Sequence, residues 1–481
     1  MALNDIEHIV FLMLENRSFD HMLGYLSLEE TPDPLPVDGL RSDDAWKDST
    51  ANYTRDGTAH PVNPIAADEK ISDPPHGHEL VPAQIATPVG VPGPRRMGGF
   101  VQAYIDSRQG ESPPRRAGAV MGYYDGNGVW AYDSLARNYC VCDRWFTPLP
   151  TGTQPNRLMA MGGDTRIFEN SGLKIPGHDL VYDWLNRNGV DWRVYTWGGY
   201  PPFFALMWEW WDDVVASARQ RFRKFGRLRE DWLSGEAVPS LLFIEPKYSE
   251  IPIGPANDDH APTRITGGQN LVKDLYDILT SNAERWAKTL LIVTYDEHGG
   301  FFDHVPPLPI RKQVAEELFE TTGPRVPALL ISPHVDPGQV FHEPVDHTAF
   351  LALLAERFTP GVPYSGAVAE RQSSYAGFGR LSQALRPSAR AGAAPRIDRP
   401  LAVSALESLE SLTGMEPGRM GPMDEAPDAD TPTAAAFDRA ARRTAEMHPD
   451  LLVDPDWDGL ARYVATAPPP VVKHEDHIGD D

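Results

Sequence analysis

The chain has 481 residues, 41% of them hydrophobic, so it is long enough for a large α/β domain with additions. Its 68 acidic residues outnumber its 44 basic residues, and the formal net charge is -24. This charge argues against nonspecific binding of nucleic acid, whose phosphates it would repel. No apolar run of the sequence reaches the roughly 20 residues of a membrane-spanning helix. No leader precedes the first apolar run, so we expect a cytoplasmic location for the chain as given; the alternative is an exported protein from which a leader has been removed.

The apolar pattern predicts strands and helices that alternate along most of the chain. The predicted strands cover residues 6–14, 239–246, 290–295 and 325–333. The predicted helices cover 98–110, 132–146, 207–232 (one long helix or two), 266–289 and 346–358. Residues 177–198 predict a helix, an Asn-Gly turn and a strand, and residues 30–95 predict extended loops with short elements. Strands that alternate with helices imply a mainly parallel sheet that is covered on both faces.

Composition divides the sequence into three parts. A main domain is predicted over residues 1–385. Residues 386–465, rich in Ala, Pro and Asp, predict a linker and a small helical extension, and residues 466–481 predict a disordered tail. The two cysteines, Cys140 and Cys142, stand too close in one segment for an easy disulfide, and we expect two small core residues.

Polar side chains follow two of the predicted strands at the point where each strand ends. Glu15 and Asn16 follow the first strand, and Asp296 and Glu297 follow the strand 290–295. Ligands of parallel α/β sheets gather at the carboxyl ends of the strands, so these side chains could hold one divalent cation. An oxygen-only set suits Mg²⁺, Ca²⁺ or Mn²⁺, whereas participation of His298 would favour zinc or iron. The alternative is that each acid caps a helix or pairs with an arginine.

A threonine stands in the stiff turn "TGTQPNR", residues 151–157. A threonine hydroxyl is a poor nucleophile unless a metal or a base helps it to ionise, so Thr153 would need such help. Asn156 and Arg157 could reach phosphoryl oxygens, or the segment could simply be a turn that begins a helix.

Histidines recur in short polar loops. In "NDDHAP", His260 stands beside two aspartates that could hold its imidazole in one tautomer, as an acid or as a donor to a phosphoryl group. His76 lies in the Pro-rich "DPPHGH", and His347 lies in "DHTAF". Each of these could equally be an ordinary surface histidine.

Taken in order, these segments resemble a bacterial and plant phosphoesterase family that contains nonspecific, phosphatidylcholine-hydrolysing phospholipases C and acid phosphatases. The resemblance covers about residues 5–360, and its most specific motifs are "ENRSFDH" and "TYDEHGGFFDHV". Other matching segments include "SDPPH", "TGTQPNR", "LLFIEPKYSE" and "NDDHAP". The resemblance implies an alkaline-phosphatase-like three-layer α/β/α sandwich.

The resemblance also implies roles for single residues. It implies one metal near Glu15, Asn16, Asp296 and Glu297, and Thr153 as the nucleophile. Asn156, His76 and His260 match positions that surround the transferred phosphoryl group. His347, His298 and Arg157 are expected to have supporting roles.

The sequence departs from the family pattern in three places. It has "TGT" where relatives commonly have "GPT", it has no export leader, and its C-terminal region does not look like the β-rich repeats of some longer phospholipases. The function that we expect is hydrolysis of a phospholipid or small phosphoester by a phospholipase C-type phosphodiesterase with a phosphothreonine intermediate. The alternatives are a phosphomonoesterase that uses the same site and a binding protein without turnover. Aromatic residues in "WGGYPPFF" and "MWEWW" could cage a choline-type cation or belong to the core.

Overall fold

A computed structural model of the chain describes residues 2–66, 69, 71–86, 97–107, 116–171, 179–197, 221–248, 256–375, 377–400, 432–450 and 465. Apart from Trp197, the aromatic segments proposed as a choline cage lie outside these residues, and so do most of the predicted helix 207–232 and the predicted tail 466–481. None of the helices in the described part of the chain is both long enough and apolar enough to cross a bilayer.

The described strands, in chain order, are β1 His8–Leu14, β2 Asn52–Tyr53, β3 Ala59–His60, β4 Asn63–Pro64, β5 Gly122–Tyr123, β6 Cys140–Cys142, β7 Trp145–Phe146, β8 Trp192–Thr196, β9 Phe222–Lys224, β10 Leu241–Glu245, β11 Thr289–Tyr295, β12 Pro309–Val314, β13 Glu317–Thr321, β14 Ala328–Ile331, β15 Gln339–Phe341 and β16 Val345–Asp346. Eight of them form the central sheet, in the order β15-β6-β14-β11-β1-β10-β8-β9. Neighbouring strands are parallel except at β14, which is antiparallel to β11 and β6. The mainly parallel sheet is therefore confirmed, with one reversed strand that the apolar pattern does not show.

The described α-helices are α1 Phe19–Met22, α2 Asp44–Thr50, α3 Val81–Ile85, α4 Phe100–Asp106, α5 Trp130–Asn138, α6 Thr153–Gly162, α7 Val181–Arg187, α8 Leu228–Leu233, α9 Thr266–Thr280, α10 Ala283–Trp286, α11 Thr348–Phe358, α12 Gly366–Ser374 and α13 Pro432–Met447. Short 3-10 segments cover Ala2–Asp5, Gly24–Ser27, Ala117–Met121, Phe225–Arg227 and Leu381–Ala384. The described residues between 30 and 86 form only short elements, as the composition of this region predicts.

Helices cover both faces of the sheet. All seven residues of β1 are buried, as expected for a strand inside a parallel sheet. Its side chains alternate between the faces, so Phe11 stacks on Phe350 of α11 (4.1 Å between centroids), whereas His8 packs edge-on against Trp232 of α8 (5.2 Å). Helix α11 packs with α6 and α12, and α9 packs with α5 and α8. The predicted three-layer α/β/α sandwich is confirmed.

Three predicted helices differ from the observed elements. The helix predicted for 132–146 ends at Asn138, because Cys140–Cys142 is instead strand β6, which pairs with β14 and β15. Both cysteines are buried and free, as predicted. The helix predicted for 266–289 is two helices, since the Asn282 side chain accepts a hydrogen bond from the Arg285 N–H (3.1 Å) and caps the second. In the described end of segment 207–232, residues 222–224 pair with β8 as a strand rather than a helix.

The predicted C-terminal extension includes helix α13, which begins at Pro432 and therefore before the "DRAARR" segment that suggested it. Its buried side chains, among them Phe437 and Ala441, belong to the same hydrophobic core as the central sheet. Ile397 of the preceding segment belongs to that core too. The domain boundary near residue 385 stays a prediction.

Candidate active site

Two acidic clusters meet at the carboxyl edge of the sheet, because β1 and β11 are parallel neighbours. Leu14 is paired with Tyr295 at the end of these strands, so Glu15 and Asp296 leave the sheet side by side. The Asn16 backbone N–H donates to the Asp296 carboxylate (3.2 Å). The structure thus brings together the four side chains for which the sequence suggests a metal site.

These residues fit a hard divalent cation. Glu15, Asn16, Asp296 and Glu297 are all buried, and they offer oxygen ligands. Asn16 Oδ1 and Glu297 Oε1 accept no hydrogen bond from any residue that the structure describes. Burial raises the pKa of the Asp296 carboxyl to about 6, and the adjacent Glu297 adds to the rise while Arg157 opposes it. Three buried carboxylates beside one guanidinium leave an excess of negative charge that a divalent cation would balance.

Two histidines orient the amide of Asn16. His76 Nδ1 donates to the Pro74 carbonyl (2.8 Å), and His260 Nδ1 lies 3.2 Å from Glu15 Oε2. The other ring nitrogen of each histidine, Nε2, therefore faces Asn16 Nδ2, at 3.4 Å from His76 and 2.8 Å from His260. With its amide nitrogen directed at the imidazoles, Asn16 turns its oxygen toward the proposed metal position. Burial disfavours the charged form of His76, but Glu297 and Asp73 raise its pKa above the usual value.

Glycines after His298 allow the two acidic clusters to pack closely. Gly299 has a φ of 63°, and a Cβ at this position would lie 2.1 Å from the Asn16 carbonyl oxygen. A Cβ at Gly300 would lie 2.5 Å from the Pro75 carbonyl oxygen, in the loop that carries His76. Both positions need glycine for their backbone conformation and for the space. These glycines thus permit close contact between protein segments.

Helix α6 begins at Thr153, which is buried, and it presents this residue at its N-terminus. Asn156, in the first turn, is bound to the backbone of the preceding turn. Its Nδ2 donates to the carbonyls of Leu149 (3.2 Å), Thr151 (2.8 Å) and Gly152 (3.1 Å), and its Oδ1 accepts from the Leu149 N–H (3.0 Å). Because these bonds occupy the whole amide group, Asn156 holds the turn that places Thr153.

Arg157 joins helix α6 to both acidic clusters. Its Nε donates to Asp296 Oδ2 (3.1 Å), and its Nη2 lies 3.0 Å from Glu15 Oε1. Its Nη1 donates to the Tyr248 hydroxyl (3.1 Å). The guanidinium that the sequence suggests for phosphoryl oxygens is therefore bound to the proposed metal ligands.

His347 and His298 support the loop that follows β11. His347 Nε2 donates to the Asp296 carbonyl (2.7 Å), while its Nδ1 accepts from Trp145 Nε1 (2.9 Å). Burial lowers the pKa of His347 to about 4, so this imidazole is neutral. His298 Nε2 donates to Gln84 Oε1 (2.8 Å), and its Nδ1 lies 3.2 Å from Glu297 Oε2. Both rings occupy fixed positions behind the proposed metal ligands.

Asp73 is a site residue that the sequence analysis did not single out. Its Oδ1 lies 3.4 Å from His260 Nε2 and 3.7 Å from His76 Nδ1, and its side chain is 40% exposed. It marks the open side of the site. The signal was present, because Asp73 stands three residues before His76 in the "SDPPH" motif.

A second group of acids and a histidine, Asp20, Asp303 and His304, lies close together in the structure. It is already neutralised by Arg325, whose Nε donates to Asp303 (2.9 Å) and whose Nη2 donates to Asp20 (3.0 Å). The Asp20 carboxylate also lies 2.7 Å from His304 Nδ1. Two positive groups already balance the two carboxylates, so we assign this cluster a structural role.

Comparison with known proteins identifies similar sequences over most of the chain. The family model described as "Phosphoesterase family" matches residues 6–362. Non-specific phospholipase C5 of Arabidopsis thaliana is 31% identical over 366 residues, which are 70% of this chain and 66% of the relative. Phospholipase C B of Mycobacterium tuberculosis is 30% identical over 419 residues, which are 77% of this chain and 76% of the relative. The chain thus spans about two thirds of the plant relative's length.

Among solved structures, murine ectonucleotide pyrophosphatase/phosphodiesterase 5 is similar with a TM-score of 0.32 and 12% sequence identity. The similarity covers 51% of this chain and 94% of the murine chain. At this score the likeness carries no argument about the site.

Proposed function

Because the chain belongs to the phosphoesterase family, we propose that it hydrolyses phosphate esters as a phospholipase C-type phosphodiesterase with Thr153 as the nucleophile. The substrate is a phospholipid, and the products are diacylglycerol and a phosphorylated headgroup. The names of the plant and mycobacterial relatives support this substrate class.

One observation carries the proposal: helix α6 bears Thr153 and Arg157 four residues apart, and Arg157 contacts Glu15 and Asp296. Residues four apart lie on the same side of a helix, so Arg157 ties the end of α6 that carries the hydroxyl to the carboxyl edge of β1 and β11. The N-terminus of α6 adds a partial positive charge where the phosphoryl group would bind.

In the first step, Thr153 Oγ1 attacks phosphorus and forms a new O–P bond, while the bond from phosphorus to the glycerol oxygen breaks. The threonine proton passes to water, and the leaving oxygen takes a proton from the histidine pair His76 and His260, one imidazole of which is protonated at the start of the step. The intermediate is a phosphate ester of Thr153 that still carries the headgroup. In the second step, water attacks phosphorus and returns a proton to the histidine pair. The bond from phosphorus to Thr153 Oγ1 breaks, the headgroup phosphate leaves, and Thr153 Oγ1 takes a proton from water to form the hydroxyl again.

Each neighbouring residue has a role in these steps. Asn156 holds the turn that aims the hydroxyl, and Asp73 orients the two imidazoles from the open side of the site. Glu15, Asn16, Asp296 and Glu297 would hold a divalent cation of the Mg²⁺, Ca²⁺ or Mn²⁺ type. When bound, this cation supplies Lewis-acid stabilisation of negative charge on the phosphoryl oxygens.

The test is turnover of phosphatidylcholine and of a simple phosphate monoester by the wild type, Thr153→Ala and Thr153→Ser, after chelation and addition of metal. We expect T153A to lose at least about 1000-fold in kcat on the diester, and T153S to keep part of the activity. Thr165→Ala is the matched control, because Thr165 is also buried and its hydroxyl donates to the Ile167 carbonyl outside the site.

Acid-quenched protein analysed by mass spectrometry would identify the intermediate. A headgroup phosphate on Thr153 supports the diester mechanism, and a bare phosphoryl group formed only with the monoester would favour a phosphomonoesterase. Full turnover by T153A would refute the nucleophile assignment.

A further inference from the structure

Helix α13 contacts the proposed metal site through two side chains. The ring of Phe437, on the buried face of α13, lies 5.3 Å from the ring of Tyr248, and the two rings are inclined by 31°. Tyr248 follows β10, the other parallel neighbour of β1, and belongs to the same core cluster as Phe437. A segment almost 200 residues later in the chain thus packs behind the carboxyl edge of the sheet.

Tyr248 in turn positions the guanidinium of Arg157. The Tyr248 hydroxyl donates to the Glu245 carboxylate and accepts from Arg157 Nη1 (3.1 Å). The guanidinium carbon of Arg157 also lies 5.0 Å from the centroid of the Tyr248 ring. The Tyr248 hydroxyl therefore separates the Arg157 guanidinium from the buried Glu245 carboxylate, which could otherwise attract it.

We propose that Tyr248 and Phe437 are positioning residues of the metal site, and that helix α13 thereby contributes to its affinity for a divalent cation. This inference rests on the proposed function, because it assumes the metal ligands Glu15 and Asp296. The contacts form a chain: Phe437 supports the Tyr248 ring, Tyr248 fixes Arg157, and Arg157 holds one oxygen of each of these two carboxylates.

Removal of the Tyr248 hydroxyl has a definite expected result. Without the hydroxyl, Arg157 is drawn toward Glu245, so Asp296 loses a hydrogen-bond donor and Glu15 loses its ion pair with the guanidinium. Loss of a group that orients metal ligands typically weakens metal binding about 10- to 100-fold. Movement of the positive Arg157 guanidinium away from Glu15 and Asp296 would by itself strengthen binding of a cation. Tighter metal binding by the variant would therefore mean that the orientation of these carboxylates is unimportant.

The experiment titrates Mn²⁺, Mg²⁺ and Ca²⁺ separately into chelator-treated full-length protein and measures Kd by calorimetry, with no substrate present. We expect Tyr248→Phe to weaken binding of the preferred cation by at least about tenfold, and Phe437→Ala to do the same at a temperature where circular dichroism shows the protein folded. If Phe437 acts through Tyr248, the double variant binds no more weakly than Y248F alone.

Two control variants separate this role from a general loss of stability. Tyr276→Phe removes another buried hydroxyl, one that bonds to Tyr139 and to the Pro395 carbonyl away from the site. Glu446→Ala changes an exposed residue of the same helix as Phe437. Both should keep the wild-type Kd.

The outcomes also separate this inference from the proposed function. If Glu15→Gln abolishes metal binding while Y248F and F437A bind as the wild type does, the inference is wrong and the metal site stands. If the wild type binds none of the three cations, both are wrong.

Discussion

The role of Asn156 is open to a direct test, because two interpretations predict different results for Asn156→Ala. The family resemblance places this residue beside the phosphoryl group, whereas its hydrogen bonds join it to the turn 149–152. Among the described residues, Asn156 is the hydrogen-bond partner of both the Leu149 N–H and the Thr151 carbonyl, and neither group has a second one. The substitution leaves both groups unsatisfied.

The expected loss follows from these contacts. A buried polar group without a partner costs about 1 to 3 kcal/mol, so N156A should lower the free energy of unfolding by roughly 2 to 4 kcal/mol, allowing for water that enters the vacated space. Thr153 is next to the released turn, and a displacement of about 1 Å at a reacting group can cost about 100-fold in rate. We therefore expect kcat to fall by about that factor.

Urea unfolding and steady-state turnover of the phospholipid measure the two effects on the same preparations. Asn52→Ala is the control, because the Asn52 side chain is also buried and bonds to backbone groups, donating to Met97 O (3.0 Å) and accepting from Phe100 N (2.8 Å). N52A should lose stability and keep kcat. If N156A loses turnover but unfolds at the same urea concentration as the wild type, Asn156 contacts the phosphoryl group directly and our interpretation is refuted.

Two further predictions concern the glycine that packs against Asn16 and the ion pairs of His304. Gly299→Ala should abolish metal binding, because the new methyl group would lie 2.1 Å from the Asn16 carbonyl oxygen. Gly189→Ala is the control, because Gly189 has a similar φ but a Cβ there would have no atom within 4 Å. This control should lower the free energy of unfolding by only about 1 kcal/mol and leave the Kd for the metal unchanged. Burial opposes the charged form of His304, but Asp20 and Asp38 raise its pKa from 6.5 to about 9. A raised pKa stabilises the fold fully below pH 6.5, and this contribution is lost as the pH rises through 9. Between pH 6.5 and pH 9, the free energy of unfolding of the wild type should fall by roughly 1 to 3 kcal/mol more than that of His304→Gln. If the free energy of unfolding depends on pH equally in both proteins, the assignment is wrong.

The sequence predicts the central strands well, because a strand buried on both faces is a continuous apolar run. β1, β10 and β11 were all identifiable in this way. β6 was not, since it has only three residues and directly follows a helix, so its pairing with β14 and β15 decides its conformation. The reversed direction of β14 likewise depends on the path of the chain and leaves no trace in the pattern.

The rule that ligands gather at the carboxyl ends of parallel strands identified the acids of the site, and it also applies to two residues that the sequence analysis missed. Glu15 and Asp296 were identified because they follow parallel strands. Glu245 and Tyr248 stand at the end of β10, and the rule applied there would have included them. Phe437 carries no such signal, because its contact with Tyr248 joins distant parts of the chain and depends on how α13 packs against the core.

Side-chain length and direction decide what the first turn of α6 can reach. Side chains on a helix point back toward its N-terminus, so the short amide of Asn156 meets the backbone of the turn just before the helix. The longer side chain of Arg157 extends past that turn to Glu15 and Asp296. The Asn156 amide therefore forms its hydrogen bonds with the backbone of this turn. We therefore propose that the phosphoryl contacts that Asn156 does not make come from His76 and His260, which border the open side of the site with Asp73.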